Sequence, residues 1–260
     1  MTLALNNICF GYGESPLLDN VSLTIEPAQV LGILGPNGAG KSSLLRLMNG
    51  RLQPDGGDIT LEGRTLASLP ASTIAQRIAM ISQNPAARFG FPVEDVVAMG
   101  RRPYQGWFGA LTESDHQAIE TALTETGLTA LRSRPITHLS GGELQLTFVA
   151  RALAQDPDIL LMDEATSSLD IRHTARILSL VRRRVRQGEL TVVAVIHDLN
   201  LAAAFCDRIA FLSQGRLIGP EAPATLIDTP MLVRVYEVER ERIQVHRDPL
   251  HIEFRMEDGS

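Results

Sequence analysis

Short apolar runs recur along the chain, and each is followed at once by polar or glycine residues. The clearest of these runs are residues 30–34, 159–162 and 191–196. Strands that are buried on both faces lack the usual apolar and polar alternation and form continuous apolar stretches. The pattern therefore predicts a mainly parallel sheet, in which ligands bind near the carboxyl ends of the strands.

Other segments predict what surrounds this sheet. Residues 41–49 carry apolar side chains at helical spacing, and Gly50 offers a stop. Short alternating stretches with turn residues near the N-terminus predict a small antiparallel sheet. From about Pro85 to Ala154 the pattern becomes mainly helical. We expect one α/β domain, residues 1–260, with a core formed by residues 1–84 and 155–260 and an inserted helical subdomain formed by residues 85–154.

Composition narrows the class of protein. The chain has 260 residues, of which 44% are hydrophobic, enough to bury a sizeable core. No apolar run approaches the roughly 18 residues that span a bilayer, and the first residues lack a signal-peptide pattern, so we expect a cytoplasmic location. The net charge of −6 argues weakly against a nucleic-acid surface. Cys9 and Cys206 lie far apart, and buried thiols are the simplest interpretation of them.

The segment GPNGAGKS, residues 35–42, matches the phosphate-loop pattern and lies between a predicted strand and a predicted helix. Backbone N–H groups of such a loop surround phosphate oxygens, Lys41 reaches the terminal phosphates and the Ser42 hydroxyl can bind Mg²⁺. A glycine-rich turn without a ligand is the alternative. The predicted nucleotide-binding residues of this segment are Gly35, Pro36, Asn37, Gly38, Ala39, Gly40, Lys41, Ser42 and Ser43.

Two neighbouring carboxylates, Asp163 and Glu164, follow the second apolar run. Adjacent side chains at the end of a strand point to opposite sides, so the two groups can have different roles. We expect Asp163 to hold magnesium and Glu164 to polarise the water that attacks the γ-phosphate. A solvated acidic pair would be the interpretation if no phosphate loop were present.

Three single residues gain meaning only beside these motifs. His197 ends the third apolar run, where a histidine could hydrogen-bond the γ-phosphate. Gln83 could reach the metal or the attacking water, and Tyr12 could stack on a base. Taken alone, His197 would be a capped or solvated side chain, Tyr12 a packing residue, and Gln83 would carry no information.

The stretch LSGGELQL, residues 139–146, predicts a helix start with an unusual feature. Ser140 and Glu143 fit a capping box, in which the two side chains satisfy backbone N–H groups at the helix start. A capping box does not need Gly141 and Gly142. These glycines suggest that an anion approaches the backbone closely at this helix N-terminus.

Together these motifs resemble the ATP-binding cassette (ABC) family over nearly the whole chain. The resemblance implies a P-loop NTPase core, ATP hydrolysis with Mg²⁺, and a homodimer in which each phosphate loop faces the signature of the partner. It assigns Tyr12 to adenine stacking, Gln83 to the loop that joins the core to the helical subdomain and to the metal, Ser140, Gly141, Gly142 and Glu143 to the signature, Asp163 to magnesium, Glu164 to catalysis, Asp170 to the dimer contact and His197 to the switch position.

The segments FPVEDVVAMGRRP and HDLNLAAAFCDRI resemble the corresponding sequences of the ATPase subunits of importers for ferric siderophores, haem and cobalamin. Molybdate-type importers are related to this group. This resemblance implies two membrane-spanning permease subunits, an extracytoplasmic binding protein and a peripheral location on the cytoplasmic face of the membrane. An aromatic surface would receive the permease, although a satellite hydrophobic cluster explains it equally well. Its residues are Phe89, Phe91, Tyr104, Trp107 and Phe108.

Two positions depart from the usual pattern of the family. Ala165 stands where proline is usual, which should mainly loosen one turn. Leu146 stands where arginine is common, which puts a polar contact of the signature helix in doubt. The rival hypothesis is a soluble cassette ATPase of DNA repair or translation, but such relatives tend to carry long insertions or two tandem cassettes. A small-molecule kinase would leave the signature stretch unexplained.

Overall fold

The computed structural model describes residues 2–13, 15–83, 89–105, 109–165 and 169–254. Among these residues no helix is both long enough and apolar enough to cross a membrane. The strands and helices, with short 3-10 turns between some of them, are β1 (Leu3–Tyr12), β2 (Ser15–Ile25), β3 (Val30–Leu34), α1 (Lys41–Met48), β4 (Gly56–Leu61), β5 (Arg64–Thr65), α2 (Ala71–Arg77), β6 (Ile78–Ile81), α3 (Val93–Ala98), α4 (Glu113–Thr126), α5 (Gly141–Ala154), β7 (Ile159–Asp163), α6 (Ile171–Arg186), β8 (Thr191–Val195), α7 (Leu199–Phe205), β9 (Arg208–Ser213), β10 (Arg216–Glu221), α8 (Pro223–Leu226), α9 (Thr229–Tyr236), β11 (Ile243–Arg247) and β12 (Leu250–Phe254).

The chain divides into two compact units. The first unit combines Met1–Ala67 with Val193–Ser260, and the second is Ser68–Val192. The predicted helical insertion, residues 85–154, lies wholly inside the second unit. Its exact boundaries stay a prediction.

An antiparallel sheet forms the N-terminal part of the first unit. Its strand order is β2-β1-β4-β5. Leu3, Leu5 and Ile8 of β1 are at most 1% exposed, whereas the residues between them are more accessible. This alternation is what a sheet with one covered face requires. The predicted N-terminal antiparallel sheet is therefore confirmed.

A second sheet region of the first unit carries the phosphate loop. Strand β9 runs parallel to β3 and antiparallel to β10. All five residues of β3 are buried, as its continuous apolar sequence predicts. The Asp207 carboxylate accepts a hydrogen bond from the N–H of Val30 at 2.8 Å and so fixes the start of the strand. The carboxyl end of β3 leads directly into the loop before α1.

The second unit joins two parallel strands to a group of helices. Strand β6 pairs in parallel with β7, and helices α3, α4 and α5 pack together around Val97, Leu123 and Val149, which are fully buried. Apolar side chains thus fill the interior that the helical pattern of this region predicts. Parallel strands, an antiparallel N-terminal sheet and a helical region confirm the predicted fold class.

Candidate functional site

The phosphate loop connects β3 to α1, and glycine is required where the loop becomes helix. Gly40 is the N-cap of α1 and has a φ of 99°, a backbone conformation that residues other than glycine rarely adopt. A Cβ atom there would also lie 3.0 Å from side-chain carbons of Leu17 and Leu18. Among the residues that the structure describes, no side chain caps this helix. The first turn of α1 therefore presents backbone N–H groups, as a site for phosphate requires.

Lys41 holds the phosphate loop in its curved form. Its side chain is buried, at 6% exposure, and Nζ donates to the carbonyl oxygens of Gly35 and Pro36 at 2.8 Å each. A buried ammonium group needs such partners because its desolvation is costly. Its charge is thus enclosed by the loop that we expect to bind phosphate.

Tyr12 reaches the start of α1 from strand β1. Its hydroxyl is 3.2 Å from the Ser43 hydroxyl, and its ring makes an edge contact with Phe10 at 5.1 Å between centroids. The residue remains 57% exposed. An aromatic face that is both fixed and accessible suits stacking on a base, so adenine binding by Tyr12 stays a consistent prediction.

His197 follows β8 and lies beside the start of the phosphate loop. The N–H of Ile196 donates to the carbonyl of Ile33 in β3 at 3.2 Å, which brings the ends of the two strands together. Next to the exposed histidine, the Asp198 carboxylate caps α7 by accepting the N–H groups of Asn200 and Leu201. The histidine therefore occupies a fixed backbone position, and its switch role stays a prediction.

At the end of β7 the structure brings two of the predicted residues, Gln83 and Glu164, into contact. Asp163 is 5% exposed, and Glu164 follows it with a left-handed φ of 50°. This conformation is uncommon for glutamate and turns the chain sharply at the strand end. Gln83 donates a hydrogen bond from Nε2 to Oε2 of Glu164. The glutamine before the insertion and the predicted catalytic carboxylate thus form one group.

The helix of the signature also supports this turn, through a contact that the sequence analysis missed. Gln145, which is 3% exposed, donates from Nε2 to the carbonyl oxygen of Ala165 at 2.9 Å. Its neighbour Leu146 is equally buried. Leu146 therefore packs in the interior of the second unit. This burial explains why an apolar residue stands at a position where arginine could make a polar contact.

The predicted capping box at the start of α5 is confirmed. The Ser140 N–H donates to Oε2 of Glu143 at 2.8 Å, and the Ser140 hydroxyl accepts the N–H of Glu143 at 3.3 Å. The Ser140 backbone N–H lowers the pKa of the Glu143 carboxyl, and the Ser140 hydroxyl, which donates at 2.8 Å, lowers it further. Glu143 is thus kept ionised as part of the cap.

The two signature glycines have different surroundings. A Cβ atom on Gly141 would meet nothing within 4 Å, whereas one on Gly142 would lie 2.6 Å from Nδ1 of His173. His173 is fixed by Asp170, whose carboxylate caps α6 by accepting the His173 N–H at 2.8 Å and lies 2.9 Å from its Nδ1. The backbone N–H of His173 lowers the pKa of the Asp170 carboxyl. The missing side chain of Gly142 therefore leaves room for His173 of the same chain, which the anion hypothesis did not anticipate. Of the two signature glycines, only Gly141 faces open space.

The residues predicted to hold a metal have the chemistry that Mg²⁺ prefers. Ser42, Gln83 and Asp163 offer hydroxyl, amide and carboxylate oxygens, and Mg²⁺ commonly combines one or two protein ligands with phosphate oxygens and water. Ser42 belongs to the first compact unit, and Gln83 and Asp163 belong to the second. The donor set fits the ion, and metal binding stays a prediction.

Comparison with known proteins agrees with the family resemblance of the motifs. Residues 18–167 match the family model described as ABC transporter. A hemin import ATP-binding protein of Rhodopseudomonas palustris is 43% identical, with 88% of this chain and 85% of the relative covered. A cobalamin import ATP-binding protein of Halobacterium salinarum is 37% identical, with 96% of this chain covered.

A solved structure described as an inward-facing metal-chelate type ABC transporter superposes with a TM-score of 0.81 and 26% identity, covering 98% of this chain and 96% of the other. The chain covers only part of the length of some relatives. The chain spans 61% of the length of the cobalamin relative and 52% of that of a Bacillus subtilis ABC transporter ATP-binding protein.

Proposed function

Since this chain belongs to the ABC transporter family, we propose that it is the ATP-hydrolysing subunit of an importer for a metal chelate of the ferric siderophore, haem or cobalamin type. The observation that carries the hydrolytic role is the pairing of Gln83 with Glu164 directly after the buried Asp163. The import assignment is supported by the named functions of the relatives, among them proteins of hemin and cobalamin import.

The proposed chemistry is transfer of the γ-phosphoryl group of ATP to water. Lys41 and the backbone N–H groups at the start of α1 bind the phosphates, and Glu164 takes the proton of the attacking water. Bound Mg²⁺, held by Ser42, Gln83 and Asp163, would neutralise phosphate charge. Because Gln83 donates to the Glu164 carboxylate, the amide holds that carboxylate in one orientation. A general base typically accelerates such a reaction by about 10²–10⁴-fold.

A homodimer is part of the proposal, and two exposed features of the second unit support it. The helix start at Gly141 is open, and Ile171, next to Asp170, is 89% exposed. An apolar side chain exposed to this extent beside a helix cap suits burial against a partner. We propose that the partner supplies the phosphates for this open helix start.

The permease subunits are proposed to bind the aromatic residues of the second unit. Phe89 and Phe91 are 69% and 45% exposed, and their ring centroids lie 6.0 Å apart. Trp107 and Phe108, also predicted for this surface, lie outside the described residues. Binding to integral subunits would place the chain peripherally on the cytoplasmic face of the membrane, with an extracytoplasmic binding protein delivering the chelate.

The test is chelate-stimulated ATP hydrolysis. The chain is co-purified with its membrane partner, reconstituted in vesicles and assayed with binding protein loaded with a ferric siderophore, haem or cobalamin. One of the chelates should raise the rate. Glu164→Gln should keep ATP binding and lower hydrolysis at least about a hundredfold, because its amide cannot accept the proton.

Three results would contradict parts of this proposal. Stimulation by molybdate would move the chain to another importer class. ATP hydrolysis whose rate changes with neither the membrane partner nor a loaded binding protein would favour a soluble cassette enzyme. Near-normal turnover of Glu164→Gln would remove this carboxylate as the base.

A further inference from the structure

Tyr236 ends helix α9 with a buried hydroxyl group whose hydrogen-bonding capacity is unused. Among the described residues, its oxygen has no hydrogen-bond partner. The ring is held in place by an edge contact with Phe211 of β9, with the centroids 6.2 Å apart. Buried hydroxyl groups are rarely left unpaired, because each loses its bonds to water. An orphan hydroxyl in a fixed ring therefore calls for a functional explanation.

The tyrosine and the phosphate loop line the same cavity. Residues that line this cavity of about 390 Å³ include Pro36, Asn37 and Gly38 of the loop and Val235 and Tyr236 of α9. All of these residues belong to the first compact unit. The end of α9 is thus the neighbour of the loop that surrounds the phosphates in our account.

The backbone of Gly35 acts on both the tyrosine and the lysine of this loop. Its carbonyl oxygen accepts a hydrogen bond from Nζ of Lys41 at 2.8 Å. Burial raises the pKa of the Tyr236 hydroxyl to about 12, and the nearby Gly35 N–H offsets part of this rise. The hydroxyl is therefore protonated at neutral pH, and its lone pairs are available to the N–H of Gly35, the backbone donor that acts on it.

We propose that Tyr236 is a positioning residue of the phosphate loop, whose hydroxyl accepts the Gly35 N–H when the loop closes around the phosphates of ATP. A small shift of the loop suffices, because ring and peptide are already neighbours. The bond made on closure stabilises the nucleotide-bound loop and leaves the free form unchanged. A C-terminal helix that touches no reacting atom thereby contributes to nucleotide affinity. This inference requires ATP binding alone and holds whichever substrate is transported.

The test is Tyr236→Phe in the full chain. Free of nucleotide, the variant should melt at the wild-type temperature or slightly above it, because the removed hydroxyl has no partner there. Its Kd for ATP with Mg²⁺ should be about three- to tenfold weaker, the value of one net hydrogen bond. The KM for ATP should rise likewise, with kcat unchanged. Exchange of the Gly35 N–H, slowed by ATP in the wild type, should stay fast in the variant.

The matched control is Tyr104→Phe in the second unit. The Tyr104 hydroxyl donates to the carbonyl of Gln155 at 3.0 Å, so its removal should lower the melting temperature and leave the Kd for ATP unchanged. Two results would overturn the proposal. One is a Tyr236→Phe variant with the wild-type Kd. The other is a nucleotide-free Tyr236→Phe variant that melts lower, as the control does, because the hydroxyl would then already be bonded in the free protein.

Discussion

At the residue scale, Gly142 is a position of the signature where one added methyl group should disturb the packing of a second helix. Its Cβ would meet the ring of His173, and that ring cannot turn aside freely because Asp170 holds its Nδ1. We expect Gly142→Ala to cost about 1–3 kcal/mol of unfolding free energy, as overpacking does. Thermal and urea unfolding of the purified variant measure this cost.

Gly141→Ala is the matched control, since its added methyl group would face open space. It should leave stability unchanged or raise it slightly through helix propensity. In a double-mutant cycle, His173→Ser should remove most of the cost of Gly142→Ala. Equal stability of the two alanine variants would show that the histidine does not restrict this glycine.

Single residues were predictable where their partners are close in sequence. The phosphate loop and the Ser140 cap follow from local patterns. The contacts of Gln145 with Ala165 and of Gly142 with His173 join residues of different elements. No local pattern records such contacts, because they depend on how helices and strands pack. His173 stands three residues after Asp170, as in an ordinary capped helix start, so its position in the sequence did not indicate a contact with Gly142.

At the scale of elements, a buried ion pair fixes the start of α4. Asp115 is 3% exposed, and its Oδ1 accepts from Nε of Arg101 at 2.7 Å. The pKa of the Asp115 carboxyl is lowered to about 2, mainly by the hydrogen bond from the Thr112 backbone N–H and also by Arg101.

This depressed pKa gives a pH dependence with a defined sign. Because the folded-state pKa lies below the usual 3.8, the carboxylate stabilises the fold fully above about pH 4. That contribution is lost as the pH falls towards 2. Asp115→Asn should therefore flatten the loss of stability between these pH values. At neutral pH it should cost about 3–5 kcal/mol, because the buried Arg101 loses its charged partner. Urea unfolding at several pH values measures both effects.

Asp158→Asn is the control for this pair. The Asp158 carboxylate binds Arg77 at the surface, with both side chains more than a third exposed. Exposed pairs contribute at most about 1 kcal/mol. Equal costs for the two variants, or an unchanged pH slope in Asp115→Asn, would contradict the assigned role of the buried pair.

Elements with a clear local apolar pattern were predicted closely. The apolar run 30–34 coincides with β3, and the helix predicted over residues 41–49 ends at Met48. The end of β7 was predicted one residue early, because Asp163 is polar yet buried. Charge normally indicates a strand end, and only the surrounding fold shows that this carboxylate continues the strand.

At the scale of the whole molecule, the proposed composite site requires two copies of the chain. The phosphate loop lies in the first compact unit, and the signature helix with Asp170 lies in the second. In our proposal, the open start of α5 at Gly141 binds phosphates that the loop of the other copy holds. The sequence predicted this arrangement by resemblance only, because contacts between chains leave no periodicity within one chain.

The most direct measurement of this claim is the ATPase rate of a purified mixed dimer. One chain carries Lys41→Ala and the other Ser140→Arg, each with its own affinity tag. Each variant alone should be inactive. The mixed dimer should regain a substantial part of the wild-type rate, because one pair of intact phosphate loop and intact signature remains. A verified mixed dimer without recovered activity, beside an active wild-type dimer with the same tags, would contradict the composite site.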